Sequence, residues 1–203
     1  MDGTTTPTGL PRIVSNPVMG VTVEFTTAGD EGDGDHVEAR VSIPAGDQGP
    51  PPHFHTDFEE TFTAVEGVLF MDLGDRRGLT LHPGESVRVA RNVRHRYYNA
   101  GDQTAVFRFT ATPGRAYEMG IRAGFGLAAD GLTDARGVPR NLLDLALVFD
   151  LSGSYVVGAP PWLQKTLARV GVRAARLCGR DPQFSKYTRG TVQVDDLGLV
   201  GDR

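Results

Sequence analysis

The chain has one cysteine, Cys178, in 203 residues, which rules out an internal disulfide and a Cys-rich zinc module. No run of 18 apolar residues occurs, so no membrane-spanning helix is expected. The first 30 residues lack a basic start followed by an apolar stretch, and the expectation is a cytoplasmic protein without a secretory signal. Basic residues are the minority, 21 against 25 acidic, and the net charge of −4 argues against nucleic acid as the main partner. Several catalytic signatures are missing: the G-x-S-x-G elbow, the G-x-x-x-x-G-K-[ST] phosphate loop, H-E-x-x-H, and G-x-G-x-x-G after a strand. There is no internal repeat. Glycine (26) and proline (13) are plentiful, which suits many short strands and turns better than a helix bundle.

Short strands are expected from Ile13 to about Phe109. The clearest is Val37–Ile43, where four apolar residues alternate with Glu38, Arg40 and Ser42. Further runs follow at 61–65, 68–73, 78–81, 86–90, 94–99 and 105–110, separated by turn signals such as Pro83-Gly84 and Gly101-Asp102. Strands without intervening helices predict an antiparallel sandwich or barrel. After Pro113 the composition turns helical at 116–129 and 141–151. Pro160 and Pro161 then open a helix over 160–180. The expected organisation is a flexible arm (1–11), a β-domain (12–112), a helical extension (113–189) and a polar tail (190–203).

The segment His53-Phe54-His55-Thr56-Asp57-Phe58-Glu59-Glu60 carries the chemistry. On a strand, residues i and i+2 share a face, so His53 and His55 project together. Two adjacent imidazoles begin a metal site, a carboxylate five residues on can add to it, and His95 can supply a third imidazole from another strand. Glu59 competes with Glu60, but alternation turns Glu59 the other way. If His95 points inward, so do Tyr97 and Asn99. If Glu60 does, so does Phe62, and Phe107 and Phe109 share a face on the closing strand. Arg40 is a candidate for the pocket mouth. Tyr97 is a candidate acid or hydrogen-bond donor to substrate, and Glu60 a candidate base.

These segments resemble the paired motifs of the cupin superfamily, G-x5-H-x-H-x3,4-E-x6-G and G-x5-P-x-G-x2-H-x3-N. His53, His55, Glu60 and Gly67 match the first, whose leading glycine is missing; Gly46 and Gly49 miss its spacing by one and two residues. Gly84, His95 and Asn99 match the second, with Ala90 in place of the proline and Asn92 in place of the glycine. The resemblance covers about residues 20–112. It implies a mainly β fold, a single antiparallel jelly-roll barrel or sandwich with a C-terminal α-helical extension. It also implies one divalent metal (Fe, Mn, Ni, Co, Cu or Zn) on His53, His55, Glu60 and His95, a small-molecule substrate, and a homodimer. Three neutral imidazoles and one carboxylate leave free positions on a six-coordinate ion and a site charge of +1, favourable to an anionic substrate or an enolate. Ligand set and family together suggest an enzyme, first a dioxygenase-type oxidoreductase. A cyclase or isomerase of secondary metabolism and a non-catalytic ligand-binding module are the alternatives.

The basic charge is concentrated at the end. Residues 1–159 carry 13 basic and 21 acidic groups, whereas 160–189 carry seven basic groups against Asp181 alone. Leu163, Leu167, Val170, Ala174, Leu177 and Cys178 form one apolar stripe on helix 160–180, with the basic residues in a separate sector. The leading expectation packs this stripe on the barrel or a dimer mate, with Cys178 packed rather than reactive. An anionic membrane surface comes second and nucleic acid third.

Overall fold

Alternation within the strands decides what lies between the two sheets. In β3 (Val37–Ile43), Val37, Ala39, Val41 and Ile43 are buried, while Glu38, Arg40 and Ser42 point outward. In β10 (Ala105–Thr112), Ala105, Phe107, Phe109 and Ala111 do the same, and Phe107 pairs with Val41 in register. On the other side of β10, Phe109 sits opposite Phe62 of β5 (Glu59–Glu66). The inward side chains close one core with Phe25, Phe58, Leu69 and Met71. Burial of several phenylalanines, each worth about 1.5–3 kcal/mol, dominates the stability of this half of the molecule.

The computed structural model describes residues 4–31 and 36–189. The remaining strands are β1 (Ile13–Asn16), β2 (Val21–Thr27), β4 (His53–His55), β6 (Leu69–Leu73), β7 (Arg76–Leu81), β8 (Ser86–Val89) and β9 (His95–Tyr98). After β10 come α1 (Arg115–Ala129), α2 (Leu142–Ser152), β11 (Ser154–Val156), α3 (Pro161–Leu177) and α4 (Asp181–Thr188). A six-stranded sheet runs β1-β2-β3-β10-β5-β8 and faces a five-stranded sheet β11-β4-β9-β6-β7. All pairings are antiparallel. The two sheets do not close into a barrel, so the expected jelly roll is a sandwich.

Two features differ from the sequence expectation. Residues 4–11 are tied down rather than loose: Leu10 is buried, and Thr8 donates from its backbone N (3.0 Å) and its hydroxyl (2.5 Å) to Asp30. The tail 190–203 lies outside the described residues. The second difference is β11, which the expected helical extension did not include. It adds the helical extension to the edge of the five-stranded sheet, pairing Ser154, Tyr155 and Val156 with His55, Phe54 and His53.

α1 is bolted to the N-terminal hairpin by a buried ion pair. Arg122 Nε donates to Glu118 Oε1 at 2.7 Å, and Arg122 Nη1 donates to the Pro11 carbonyl at 2.7 Å. The other oxygen of Glu118 accepts from Gly29 N at 2.6 Å, and the guanidinium lies 4.5 Å from the centre of the Phe25 ring. The glycines of α1 serve close packing. A side chain on Gly120 would meet Ser152, and one on Gly126 would meet the Tyr187 ring at 2.2 Å. These contacts let the end of α2 and α4 approach the helix backbone directly, and α1 to α4 share a second core of Ala123, Leu127, Leu147, Val172, Ala175 and Phe184.

Removing one member of a buried, hydrogen-bonded ion pair strands the other. Arg122→Ala is expected to cost about 3–5 kcal/mol in urea unfolding, while the paired replacement Glu118→Leu/Arg122→Met costs clearly less. Equal losses for both would show that the ion pair is not what holds α1 to the hairpin.

Candidate metal centre

His53 and His55 stand on β4, His95 opens β9, and His53 is the register partner of His95. Their ligand nitrogens all lie within 4.8 Å of one another. Glu60 comes across the sandwich from β5, 3.2 Å from His55 Nε2 and 2.7 Å from His95 Nε2. His55, Glu60 and His95 are buried; His53 is half-buried, so solvent reaches the cluster from its side. Glu59 turns outward to an ion pair with Arg88, as strand alternation requires.

The tautomers follow from the backbone. His53 Nδ1 faces the Pro51 carbonyl at 2.9 Å, His95 Nδ1 the Val93 carbonyl at 3.0 Å, and His55 Nδ1 the Gly153 carbonyl at 3.3 Å. A carbonyl can only accept, so in each ring Nδ1 carries the hydrogen and the neutral ring presents a bare Nε2. His55 Nε2, His95 Nε2 and Glu60 Oε2 are buried without a hydrogen-bond partner, although His95 and Glu60 approach to 2.7 Å. Lone pairs facing one another at that distance are satisfied only by a shared cation, a proton or a metal ion. The donor set of three imidazole nitrogens and one carboxylate suits a divalent transition metal, and the residues present therefore fit such an ion.

The electrostatics agree. Burial and the neighbouring imidazoles of His95 and His55 push His53 down to about 3, which keeps it neutral. Burial would raise the Glu60 carboxyl, but the close approach of the His55 and His95 imidazoles holds it well below the usual carboxylate range. His95 moves up: burial opposes its charge, and Glu60 more than offsets this. Protons and a metal thus compete for the same contact between His95 and Glu60.

The other predicted residues divide. Phe62 lies against His95 with ring centres 6.1 Å apart, and Tyr97 packs between Phe62 and Phe107 at 5.7 and 5.0 Å. Phe109 touches Phe62 at 5.2 Å, so Phe62 walls the cluster while Tyr97, Phe107 and Phe109 pack behind it in the core. Arg40 is a correction. It lies on the outer face of its sheet, ion-paired with Glu66 at 2.5 Å, in a groove with Glu38 and Arg108 that contains none of the cluster. Asn99 is a second correction. Its Nδ2 donates to the carbonyls of Pro44 (2.9 Å) and Gln103 (2.8 Å), and its Oδ1 accepts from Gly101 N (3.0 Å). The side chain is consumed in clamping loops and has nothing left for a substrate.

Sequence reasoning missed Phe58, which stacks on His55 with ring centres 4.1 Å apart, and two contributors from the extension. Tyr117 of α1 enters the sandwich and stacks on Phe109 at 4.0 Å. Burial, then Tyr97 and Glu60, push its phenol well above the ordinary value; burial, then Asp47 and Glu60, do the same to Tyr97. Both stay neutral and able to donate. The four-residue spacing of Tyr117, Ile121 and Phe125, which pack together on the β-core, was the available signal. The second contributor is the β11 edge, whose Gly153 carbonyl holds His55. Gln164 of α3 fixes β11 in turn: its Oε1 accepts from Val156 N (3.0 Å), and its Nε2 donates to the carbonyls of Val156 (2.9 Å) and Ala159 (2.7 Å).

Residues 39–111 match the family model described as Cupin domain. The chain carries a cupin domain. Similar solved structures include a sugar phosphate isomerase from Silicibacter pomeroyi, 21% identical over 48% of this chain, with a TM-score of 0.41. The chain spans 62% of the length of that isomerase. KdgF from a Halomonas species is 17% identical, with 46% of this chain and 81% of that one covered and a TM-score of 0.40. The polyketide cyclase RemF from Streptomyces resistomycificus is 23% identical, with 51% and 68% covered and a TM-score of 0.41. No curated protein matches the chain in sequence. The cupin domain supplies all four candidate ligands, and the extension, outside the matched segment, supplies Tyr117 and the Gly153 carbonyl.

Two substitutions separate positioning from structure. Gln164→Ala frees β11 and is expected to weaken metal affinity by about tenfold in a chelator competition, while the fold persists. Asn99→Ala is expected to lower stability by about 2–3 kcal/mol with metal content unchanged, because it strands buried backbone groups and touches no ligand.

Proposed function

We propose that the protein is a metal-dependent enzyme acting on a small organic molecule, with a dioxygenase-type oxidation as the leading reading. The observation that carries it is the set of three bare Nε2 atoms and one buried carboxylate, converging inside an aromatic wall. His53, His55, Glu60 and His95 would hold the ion. A bound divalent metal would supply Lewis acidity and free positions for substrate oxygens. The residues around it do the rest. Phe62, Phe107 and Phe109 exclude water and favour a planar, largely apolar substrate. Tyr97 and Tyr117 keep their protons and can donate to substrate oxygens. Glu60 is an ionised carboxylate able to take a proton at Oε2.

A second reading, a cyclase or isomerase that stabilises an enolate without oxygen, draws on the two neutral phenols, Tyr97 and Tyr117, whose protons burial and the charge of Glu60 help to retain. Neutral phenols in a core that also holds an ionised carboxylate serve such chemistry as well as an oxidation. An oxygen-electrode screen with diketones and polyphenols tests the first reading, and the same turnovers under nitrogen separate the two. Oxygen uptake coupled to substrate loss is expected. Equal turnover without oxygen would overturn the oxidation in favour of the second reading. Glu60→Gln is expected to lower turnover by at least about 10²-fold while retaining part of the metal, and Tyr97→Phe to act on turnover with metal content intact. Activity that survives Glu60→Gln would remove the base role.

A further inference from the structure

α3 has two apolar faces, and only one of them is covered. Val172 and Ala175 pack into the helical core beside Ala123, Leu127 and Leu147 of α1 and α2. The stripe expected to pack on the β-domain is the other face. Leu163, Leu167, Val170 and Leu177 are 36%, 62%, 59% and 90% exposed, and Cys178 is exposed as well. The expectation that this stripe packs on the barrel is therefore corrected. Periodicity alone could not decide between the faces, because both repeat at helical spacing.

At 100° per residue, the four exposed aliphatic residues fall in a sector of about 80°, and Lys165, Arg169 and Arg173 fall in another of about 80°. The basic row is flanked on one side by the stripe, about 40° from Leu177, and on the other by the buried face, about 20° from Val172. Trp162, 68% exposed, stands within that row's sector at the helix start. Pro161–Leu177 contains no acidic residue. We infer that α3 docks the protein on an anionic lipid surface, its leucine stripe entering the headgroup boundary and its basic row meeting lipid phosphates and carboxylates.

Three observations favour this occupant. An interfacial helix needs a solvent-facing apolar strip beside cations, with an aromatic residue at the boundary, and α3 presents all three on one accessible side. The charge of the whole chain gives an orientation: residues 1–159 are net acidic, so an anionic surface repels the β-domain while attracting α3. The alternatives use only half of the face. A second copy stacked stripe to stripe would bring two basic rows together with no acidic residue of α3 to pair them. A nucleic acid would engage the cations and leave the leucines in water. The docking face is separate from Gln164, which points to β11 on the other side of the helix, so contact with lipid leaves the metal centre's support in place.

Trp162 is the chain's single tryptophan and reports on the face directly. The full-length protein is mixed with vesicles of phosphatidylcholine alone and of phosphatidylcholine and phosphatidylserine in equal parts. The inference expects co-sedimentation and a blue shift of tryptophan emission with the mixed vesicles, weakening as salt is added. Leu167→Glu/Val170→Glu, both at exposed positions, is expected to lower binding by at least about tenfold, and Lys165→Glu/Arg169→Glu to do so without touching the stripe. Absence of binding, equal binding to pure phosphatidylcholine, or full binding by both double variants would overturn the inference. So would a dimer in solution that Leu167→Glu/Val170→Glu splits into monomers, which would make a second copy the occupant.

Discussion

A backbone carbonyl accepts hydrogen bonds and donates none, and the site depends on that fact. Three carbonyls, those of Pro51, Val93 and Gly153, each take the Nδ1 hydrogen of one histidine. The three Nε2 lone pairs then have nowhere to go but inward, toward Glu60 and one another. Bringing such atoms together out of water is unfavourable unless a cation satisfies them. The sandwich tolerates the arrangement because the ligands sit on paired strands whose register is fixed by an apolar core. A slip of one residue in β4 would send both of its histidines outward.

The helical extension belongs to this site as much as the sandwich does. One of the three carbonyls comes from the residue before β11, and Tyr117 arrives on α1. Two polar devices hold the extension in place: the buried Glu118–Arg122 pair against the N-terminal hairpin, and the Gln164 clamp on β11. The same α3 that carries the clamp turns an uncovered leucine stripe and a cationic row to the outside. One helix therefore links a candidate surface contact to the edge of the metal centre, through its two opposite sides.

Much of this was legible in the sequence, and the limits have physical causes. The H-x-H spacing and the alternation around Glu59 and Glu60 carried local geometry that a strand preserves, so the positions of His53, His55 and Glu60 could be read directly. β11 could not, since three residues between helices have no period and gain their strand character only from pairing with a distant edge. The Glu118–Arg122 pair, at helical i,i+4 spacing, reads like an ordinary surface salt bridge until α1 is docked. Asn99 aligned with the inward face, but whether an inward amide meets a substrate or loop carbonyls depends on chain segments far away. Arg40 failed for the opposite reason: its alternation already placed it outside.

Metal content with its ligation tests the central claim most directly. Elemental analysis of anaerobically purified protein, combined with X-ray absorption at the edge of the metal found, should give about one equivalent of a divalent transition metal bound by imidazole nitrogen and carboxylate oxygen. That signal should be lost in a His53→Ala/His95→Ala variant that still folds. A wild-type protein that stays empty after reconstitution with iron, manganese, nickel, cobalt, copper and zinc in turn would contradict the account.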